Sequence, residues 1–170
     1  MTELLVSPRR YVQGAGAIND IGKHASLYGE RALITGSPTG ISATRGAILE
    51  SLDGEGVVAS VEPFEGECTW SEITRLKRIA EKNDCDMVIG VGGGKGLDTA
   101  KAVACEVGAS TVIVPTIAST DAPCSAVSVV YNSEHVFERN LYWSFYLLIL
   151  VKSLSLVYLC LHKILLFVEF

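Results

Sequence analysis

Short apolar runs alternate with stretches of helical periodicity along residues 9–131 of the chain. The apolar runs are rich in valine and isoleucine and end near glycine or proline, as buried strands do. Between them, apolar residues recur on one face of a helix, and Thr69-Trp-Ser-Glu72 has the pattern of a capping box. The pattern predicts strands over 31–36, 57–64, 87–91 and 111–115, and helices over 18–28, 41–52, 73–80 and 96–107.

The order of these elements predicts how they assemble. A strand that reads as a continuous apolar run, such as residues 87–91, is typical of a parallel sheet covered by helices on both faces. Alternating strands and helices with right-handed crossovers give a doubly wound, mostly parallel α/β sheet. Ligands of such sheets bind beyond the carboxyl ends of the strands, so we expect a site at the loops after residues 36, 91 and 115.

The composition changes near residue 140, and the change divides the chain in two. Residues 141–170 hold no glycine, no proline and only three charged side chains. We therefore separate a folded domain over residues 1–139 from an aberrant apolar tail over 140–170. We favour a frameshift, altered splicing or intron read-through as the origin of the tail. A membrane-associating segment over 141–161 and a folded element of the core are the alternatives, although Lys152 would lie at the centre of a span.

Charge and cysteine content narrow the class of function. The formal net charge is −5 and the sequence has no clustered basic stretch, so nucleic acid is not an expected partner. The five cysteines are odd in number and never spaced as C-x-x-C, which argues against a disulfide framework or a zinc ribbon. Free thiols and an N-terminus unlike a secretory signal predict a cytoplasmic protein.

A glycine-rich turn between a strand and a helix is the strongest local motif, Gly90-Val-Gly-Gly-Gly-Lys-Gly-Leu-Asp-Thr-Ala-Lys101. Residues without a Cβ let the backbone approach a phosphate closely, and the free N–H groups of a helix start favour an anion. The spacing fits neither a P-loop nor G-x-G-x-x-G. The segment is therefore a candidate pyrophosphate cradle, and a tight turn that binds nothing is the alternative.

A second segment, residues 114–131, follows the next strand and so borders the same edge of the predicted sheet. We predict a restrained loop, which either binds a ligand or is a structural turn rich in serine and threonine. The three histidines lie far apart in sequence, so no histidine metal site is expected. The segment carries hydroxyl groups and one carboxylate between two prolines: Thr116, Ser119, Thr120, Asp121, Ser125 and Ser128.

Together the two segments resemble the glycerol dehydrogenases of the iron-containing alcohol dehydrogenase superfamily. The opening Ser7-Pro8 and Tyr11-Val-Gln-Gly14 is similar to the first strand of that family, so the resemblance covers about residues 5–139, the N-terminal part of such enzymes. The residues that carry it are Gly-Gly-Gly-Lys95, Leu97-Asp-Thr-Ala-Lys-Ala102, Pro115-Thr116, Ala118-Ser-Thr-Asp-Ala-Pro123, Ser125-Ala126, Ser128-Val129 and Tyr131.

The resemblance implies a Rossmann-like domain that in the family precedes a helical C-terminal domain, and we expect this chain to lack that second domain. It implies hydride transfer from glycerol, or a similar small polyol, to NAD, with dihydroxyacetone as the product from glycerol. In the family a zinc ion polarises the substrate hydroxyl, and the enzyme is a homo-oligomer. A metal ion at the hydroxyl makes the carbinol carbon a hydride donor without a side-chain base.

Carried over position by position, the resemblance implies three groups of site residues. Gly94 and Lys95 would contact the pyrophosphate, and Asp98 would lie near the cofactor. Asp121 would contact the substrate hydroxyls. The nicotinamide side would be lined by Thr116, Ser119, Ser125, Val127 and Tyr131.

Three departures from the family pattern change these expectations. Gly96 stands where the family commonly has threonine, and Ser37 stands where many relatives have an aspartate for the adenosine ribose. Without that aspartate, the rejection of the 2′-phosphate of NADP is weaker. NAD is still the expected cofactor, and NADP is the alternative. The family's zinc ligands, one aspartate and two histidines, have no equivalent in the tail, so we expect a chain that binds nucleotide without turnover. A non-catalytic nucleotide-binding remnant and a membrane-associated fragment are the alternatives.

Overall fold

The computed structural model describes residues 9–117, 120–142 and, for the backbone alone, 147–151. Helices and strands alternate along most of this length, as the sequence predicts. In chain order they are β1 (Arg10–Gly14), a 3₁₀ turn (Ala17–Asp20), α1 (Ile21–Ala25), β2 (Arg31–Gly36), α2 (Pro38–Gly54), β3 (Val58–Pro63), α3 (Trp70–Lys82), β4 (Met87–Gly92), α4 (Gly94–Val107), β5 (Ser110–Pro115), β6 (Val127–Tyr131), β7 (Phe137–Tyr142) and β8 (Leu147–Val151).

Within the described part of the chain, six strands form one sheet in the order β1-β8-β5-β4-β2-β3, and each neighbouring pair is parallel. β6 and β7 form a separate antiparallel pair. The predicted fold class, a doubly wound and mostly parallel α/β sheet, is confirmed.

Helices cover both faces of the sheet because its strands bury side chains on both sides. Ile34 of β2 belongs to the core cluster that includes Ile48 and Leu52 of α2. The adjacent Leu33 faces the opposite way, into the cluster that contains Leu76 of α3. Each of these side chains is at most 1% exposed, and burying one such side chain contributes roughly 1.5–3 kcal/mol.

The four predicted strands are confirmed to within two residues at each end, whereas some helix starts differ. The helix predicted from residue 96 begins at Gly94, because the extended backbone of Gly93 forms its N-cap. The helix predicted over 18–28 is divided into the 3₁₀ turn and α1. Ser51 of α2 explains the division, since its hydroxyl donates to the carbonyl of Asn19 at 2.7 Å and accepts from the N–H of Gly22 at 2.9 Å.

Of the two hydrogen bonds of the predicted capping box at the start of α3, the structure forms the one accepted by Thr69. The hydroxyl of Thr69 accepts a hydrogen bond from the N–H of Glu72 at 3.3 Å. The carboxylate of Glu72 accepts instead from the N–H of Glu65 at 3.0 Å and from Nε of Arg75 at 2.8 Å. Arg75 also reaches Glu62 at the end of β3, so these side chains join α3 to the preceding strand.

Residues 127–131, predicted as part of a loop, form strand β6. Its buried and half-buried positions alternate, and buried Ser128 donates its hydroxyl to the carbonyl of Asp98 at 2.8 Å. A serine that is satisfied by α4 in this way can occupy the inner face of a strand.

The apolar segment after residue 140 contributes a strand to the main sheet. β8 lies between β1 and β5, and the boundary that we predicted at residue 139 falls inside β7. An uninterrupted apolar sequence suits a parallel strand in the interior of a sheet. Residues 147–151 thus form a folded element, and the rest of the predicted tail lies outside the described residues. In the ranges that are described, no helix combines the length and the apolar character needed to cross a bilayer.

Candidate functional site

The candidate site lies at the carboxyl ends of two neighbouring strands, from which the chain continues toward opposite edges of the sheet. β2 and β4 are neighbours, and from them the chain continues to β3 on one side and to β5 on the other. Such a topological switch point is where doubly wound sheets bind their ligands. α2 begins at this edge with Pro38 and α4 begins there with Gly94, so two helix N-termini meet at the crevice.

Backbone packing at this edge requires glycine at two positions. The N–H of Ser37 donates to the carbonyl oxygen of Val91 at 3.2 Å, and a Cβ on Gly36 would lie 1.9 Å from that oxygen. Gly92 has a φ of +133°, and a Cβ there would lie 3.0 Å from the hydroxyl of Ser37. The absence of side chains lets the two turns come together at this edge of the sheet, where both glycines are buried.

The start of α4 is open to an anion. Its N-cap, Gly93, has no side chain with which to accept hydrogen bonds from the first N–H groups of the helix. The first turn consists of Gly94, Lys95 and Gly96 and so carries a positive charge and no acidic one. Uncapped N–H groups, the helix dipole and a lysine favour a phosphate. These residues fit the dinucleotide that the resemblance implies.

Lys95 contacts a carboxylate that the sequence did not single out. Its Nζ lies 2.5 Å from Oε2 of Glu67 and 5.8 Å from the centre of the Tyr131 ring. Nδ1 of His135 lies 3.0 Å from the same oxygen of Glu67. Burial raises the pKa of Glu67, but the contacts with Lys95, His135 and the Cys68 N–H outweigh it, so this pKa lies below its usual range. The hydrogen bond to Glu67 raises the pKa of Lys95.

Replacing Glu67 by glutamine is expected to remove a pH-dependent part of the stability. Because the folded-state pKa of Glu67 is lowered, its contribution is present above the unfolded-state pKa of about 4.3 and is lost as the pH falls through the folded-state value. The gap in the free energy of unfolding between wild type and Glu67→Gln should be at most about 1 kcal/mol at pH 7, since Lys95 is largely exposed. Urea denaturation between pH 3 and pH 7 measures it, and a gap that widens on acidification would contradict the assignment.

Asp98 lies on the buried side of α4, against β6, and is 8% exposed. Its Oδ2 accepts a hydrogen bond from the N–H of Val129 at 3.1 Å. Its Oδ1 lies 2.8 Å from Nζ of Lys101, as an ion pair without the alignment of a hydrogen bond. Burial raises the pKa of Asp98, and the nearby charge of Lys101 offsets only part of that effect. Asp98 thus joins α4 to β6.

Lys101 is 1% exposed, and its ammonium group faces the loop before β6. Nζ donates to the carbonyl oxygens of Ala122 at 3.0 Å, Ser125 at 3.1 Å and Val127 at 2.5 Å. An ammonium has three N–H donors, and these three carbonyls satisfy them.

The segment after β5 returns to the cradle at two points. The N–H of Thr116 donates to the carbonyl of Gly92 at 3.0 Å. Thr120 lies against Gly94, where a Cβ would come within 2.9 Å of its methyl group. The structure therefore brings Thr116 and Gly94, both predicted site residues, to the same end of the sheet.

The other predicted residues of this segment follow in a turn. Asp121 is half-buried, and its carbonyl accepts hydrogen bonds from the N–H groups of Cys124 and Ser125. The hydroxyl of Ser125 accepts from the N–H of Val127, the first residue of β6. Tyr131 ends β6 near Lys95. Ser119 lies outside the described residues.

Glu67 and Lys101 are the two charged residues at this site that sequence reasoning missed. Lys101 had a detectable signal, because it is the one charge in the alanine-rich stretch Ala100–Ala104 and follows Asp98 by three positions. Glu67 had none, because its partner Lys95 is 28 residues away.

The described residues do not fit the zinc ion that the resemblance implies. Over 9–117, 120–142 and 147–151, no three histidine, cysteine, aspartate or glutamate side chains form a group that could hold a metal ion. Cys68, Cys85, Cys105 and Cys124 form no disulfide within these ranges.

A doubly wound sheet with an uncapped helix start at its switch point is typical of dinucleotide-binding domains. Residues 8–147 match the family described as iron-containing alcohol dehydrogenase, and the chain belongs to that family.

Relatives within the family confirm the predicted resemblance to the N-terminal part of glycerol dehydrogenases. Glycerol dehydrogenase of Escherichia coli O6:H1 is 45% identical over 141 residues, which are 83% of this chain and 38% of that protein. Glycolaldehyde reductase of Halobacterium salinarum is 44% identical over 143 residues, 84% of this chain and 39% of that protein. The crystal structure of a probable glycerol dehydrogenase from Sinorhizobium meliloti 1021 has 37% identity and a TM-score of 0.77, covering 87% of this chain and 41% of its own. The chain thus spans about two fifths of the length of these relatives.

Proposed function

We propose that this chain forms the nucleotide-binding part of an NAD-linked polyol dehydrogenase. The observation that carries the proposal is the uncapped glycine start of α4 at the switch point between β2 and β4. It is supported by the 45% identity to a glycerol dehydrogenase over the same residues.

Each part of the crevice has a role in this proposal. The N–H groups at Gly94 and the ammonium of Lys95 bind the pyrophosphate, where Lys95 supplies a point charge on a flexible stem. Asp98 lies near the cofactor and holds β6 against α4. Asp121 accepts hydrogen bonds from the hydroxyls of glycerol or a similar small polyol. The nicotinamide side is lined by Thr116, Ser119, Ser125, Val127 and Tyr131.

The reaction class follows from the cofactor. The NAD that Gly94 and Lys95 would hold would supply a hydride acceptor for the carbinol carbon of the polyol, with the hydroxyl proton released to solvent, so that glycerol would give dihydroxyacetone. The residues of this chain bind the dinucleotide, orient the polyol through Asp121 and shield the transfer from water. Since the described residues offer no ligand set for zinc, we expect this chain by itself to bind nucleotide without turnover. A homo-oligomer in the cytoplasm is part of the same proposal.

Titration of the full chain with NAD tests the proposal. We expect saturable heat in calorimetry, and amide shifts near Gly94. In Gly94→Val, whose side chain would occupy the cradle beside Thr120, the Kd should rise at least about tenfold, equivalent to ~1.4 kcal/mol. Gly46→Ala is the control, because a Cβ at that α2 position meets no described atom within 4 Å. A wild-type chain that gives neither heat nor shifts with NAD would show the proposal to be wrong.

Ser37→Asp is expected to increase the preference for NAD over NADP. The hydroxyl of Ser37 caps α2 by accepting from the N–H of Gly40 at 3.1 Å, and an aspartate can keep that cap. Its carboxylate would also bind ribose hydroxyls and repel a 2′-phosphate. The ratio of the NADP Kd to the NAD Kd should rise about tenfold. Ser37→Asn preserves the cap without the charge, so an equal ratio in both variants would count against a role for charge.

A further inference from the structure

α4 carries two functions at different points of its length. Its first residue, Gly94, lies in the candidate pyrophosphate cradle, and Lys101 follows two turns later on the buried side. At 1.5 Å per residue the two positions are about 10 Å apart along the helix axis. One rigid helix therefore links the cradle to the backbone carbonyls that Lys101 binds.

All three hydrogen bonds of the Lys101 ammonium go to one segment, Thr120–Val127. The acceptors are backbone carbonyls of Ala122, Ser125 and Val127, which lie on either side of a turn. Three carbonyls that converge on one buried donor define the path of the backbone that carries them. This segment contains Asp121, whose carbonyl closes the turn at Ser125.

Asp98 extends the same connection to β6. Its Oδ1 balances the charge of Lys101 at 2.8 Å, while its Oδ2 accepts from the N–H of Val129. The carbonyl of Asp98 also accepts from the hydroxyl of Ser128 at 2.8 Å. The pair thus holds the segment and the strand after it against α4 through both of its charged groups.

We propose that Lys101 is a positioning residue, which fixes the segment Thr120–Val127 and its substrate-binding and nicotinamide-binding groups relative to the pyrophosphate cradle. The inference rests on the proposed function, because that function assigns the cradle to the pyrophosphate and the segment to the nicotinamide side and the substrate. Without the ammonium, the carbonyls of Ala122 and Ser125 lose this donor while that of Val127 keeps the hydroxyl of Ser125, so the segment is held less firmly against α4. The pyrophosphate contacts at the start of α4 and the ribose contacts at Ser37 do not involve the Lys101 ammonium, so we expect them to change little.

Comparing the affinities for two ligands separates the pyrophosphate contacts from the nicotinamide contacts. ADP-ribose keeps the adenosine and the pyrophosphate of NAD but lacks the nicotinamide ring. In Lys101→Met we expect the Kd for NAD to rise about tenfold while the Kd for ADP-ribose stays within about twofold of wild type. Lys77→Met is the matched control, because Lys77 of α3 forms an exposed ion pair with Glu106 of α4. Both Kd values should be unchanged in this variant.

The double variant Asp98→Asn with Lys101→Met keeps the test valid if the single variant folds poorly. It removes both buried charges together, and we expect it to show the same selective loss of NAD affinity. Hydrogen exchange gives a readout that needs no ligand. The amides of Ser125 and Val129, which are hydrogen-bonded to Asp121 and Asp98, should exchange faster in both variants, whereas the amide of Leu76 in α3 should not.

The outcomes are distinct. A selective loss of NAD affinity together with faster exchange at Ser125 and Val129 supports the inference. An equal loss of NAD and ADP-ribose affinity, or unchanged exchange, overturns it and leaves Lys101 a structural residue of the fold. If the wild-type chain binds neither ligand, the proposed function is wrong and this inference falls with it, whatever the exchange rates show.

Discussion

Gly36→Ala is expected to lower the free energy of unfolding by about 3 kcal/mol, the upper end of the usual range for overpacking. The added Cβ would lie 1.9 Å from the carbonyl oxygen of Val91 and 2.7 Å from its carbonyl carbon. Both atoms belong to the backbone of β4, and Gly36 and Val91 are partners in the β2–β4 register. Relief of the clash would therefore require β2 and β4 to separate at the candidate site.

Thermal and urea denaturation measure this effect, and Gly46→Ala is the control. Alanine at Gly46 in α2 meets no described atom within 4 Å and should raise the free energy of unfolding by roughly 0.5–1 kcal/mol through its better helix propensity. For a chain of this length, a loss of 3 kcal/mol corresponds to a fall in Tm of about 6–12 °C. If Gly36→Ala melts with wild type, β2 and β4 do not approach each other as closely as described.

The strands of the sheet interior were predictable because their sequences allow one interpretation. β4 is buried at every position, and its apolar residues between polar flanks suit a covered parallel strand. The capping threonine of α3 was likewise readable, since the interaction with Glu72 spans three residues. Local patterns of this kind do not depend on the rest of the chain.

β6 and β8 were not predictable, because their structure depends on distant partners. The sequence of β8 suits a strand, a buried helix or a membrane span equally well, and its place between β1 and β5 is set by pairing across the sheet. β6 follows a segment rich in serine and threonine, which indicated a loop. Its serine is accepted in a strand only because α4 provides the carbonyl of Asp98.

The candidate site likewise contains a part that the local sequence predicted and a part that depends on contacts between distant residues. The glycine turn that opens α4 was evident from its sequence, because three successive glycines stand there and Gly92 adopts a φ of +133° that favours glycine. The contact of Glu67 with Lys95 and the three carbonyls that bind Lys101 join residues 21 to 28 positions apart. Only the folded chain brings such groups together.

Lys101→Met is expected to lower the free energy of unfolding by about 3–5 kcal/mol, the range found when one partner of a buried ion pair is removed. Asp98 would remain as a buried carboxylate with the N–H of Val129 as its hydrogen-bond donor, and three carbonyls would lose their contact with the ammonium. Because typical domains have only about 5–15 kcal/mol of stability in all, urea denaturation at pH 7 should detect the loss readily.

Asp98→Asn should cost less than Lys101→Met, because the two charges have unequal partners. An asparagine at 98 still accepts from Val129, and Lys101 keeps its three carbonyls, so this variant leaves fewer buried groups without partners. Burial also raises the pKa of Asp98, which means that the folded state favours the neutral side chain that asparagine resembles. The double variant should be more stable than Lys101→Met alone, since it no longer leaves an unpaired carboxylate in the interior. If the two single losses simply add in the double variant, the buried pair is not coupled and the connection between α4 and the segment Thr120–Val127 depends on the carbonyl contacts of Lys101 alone.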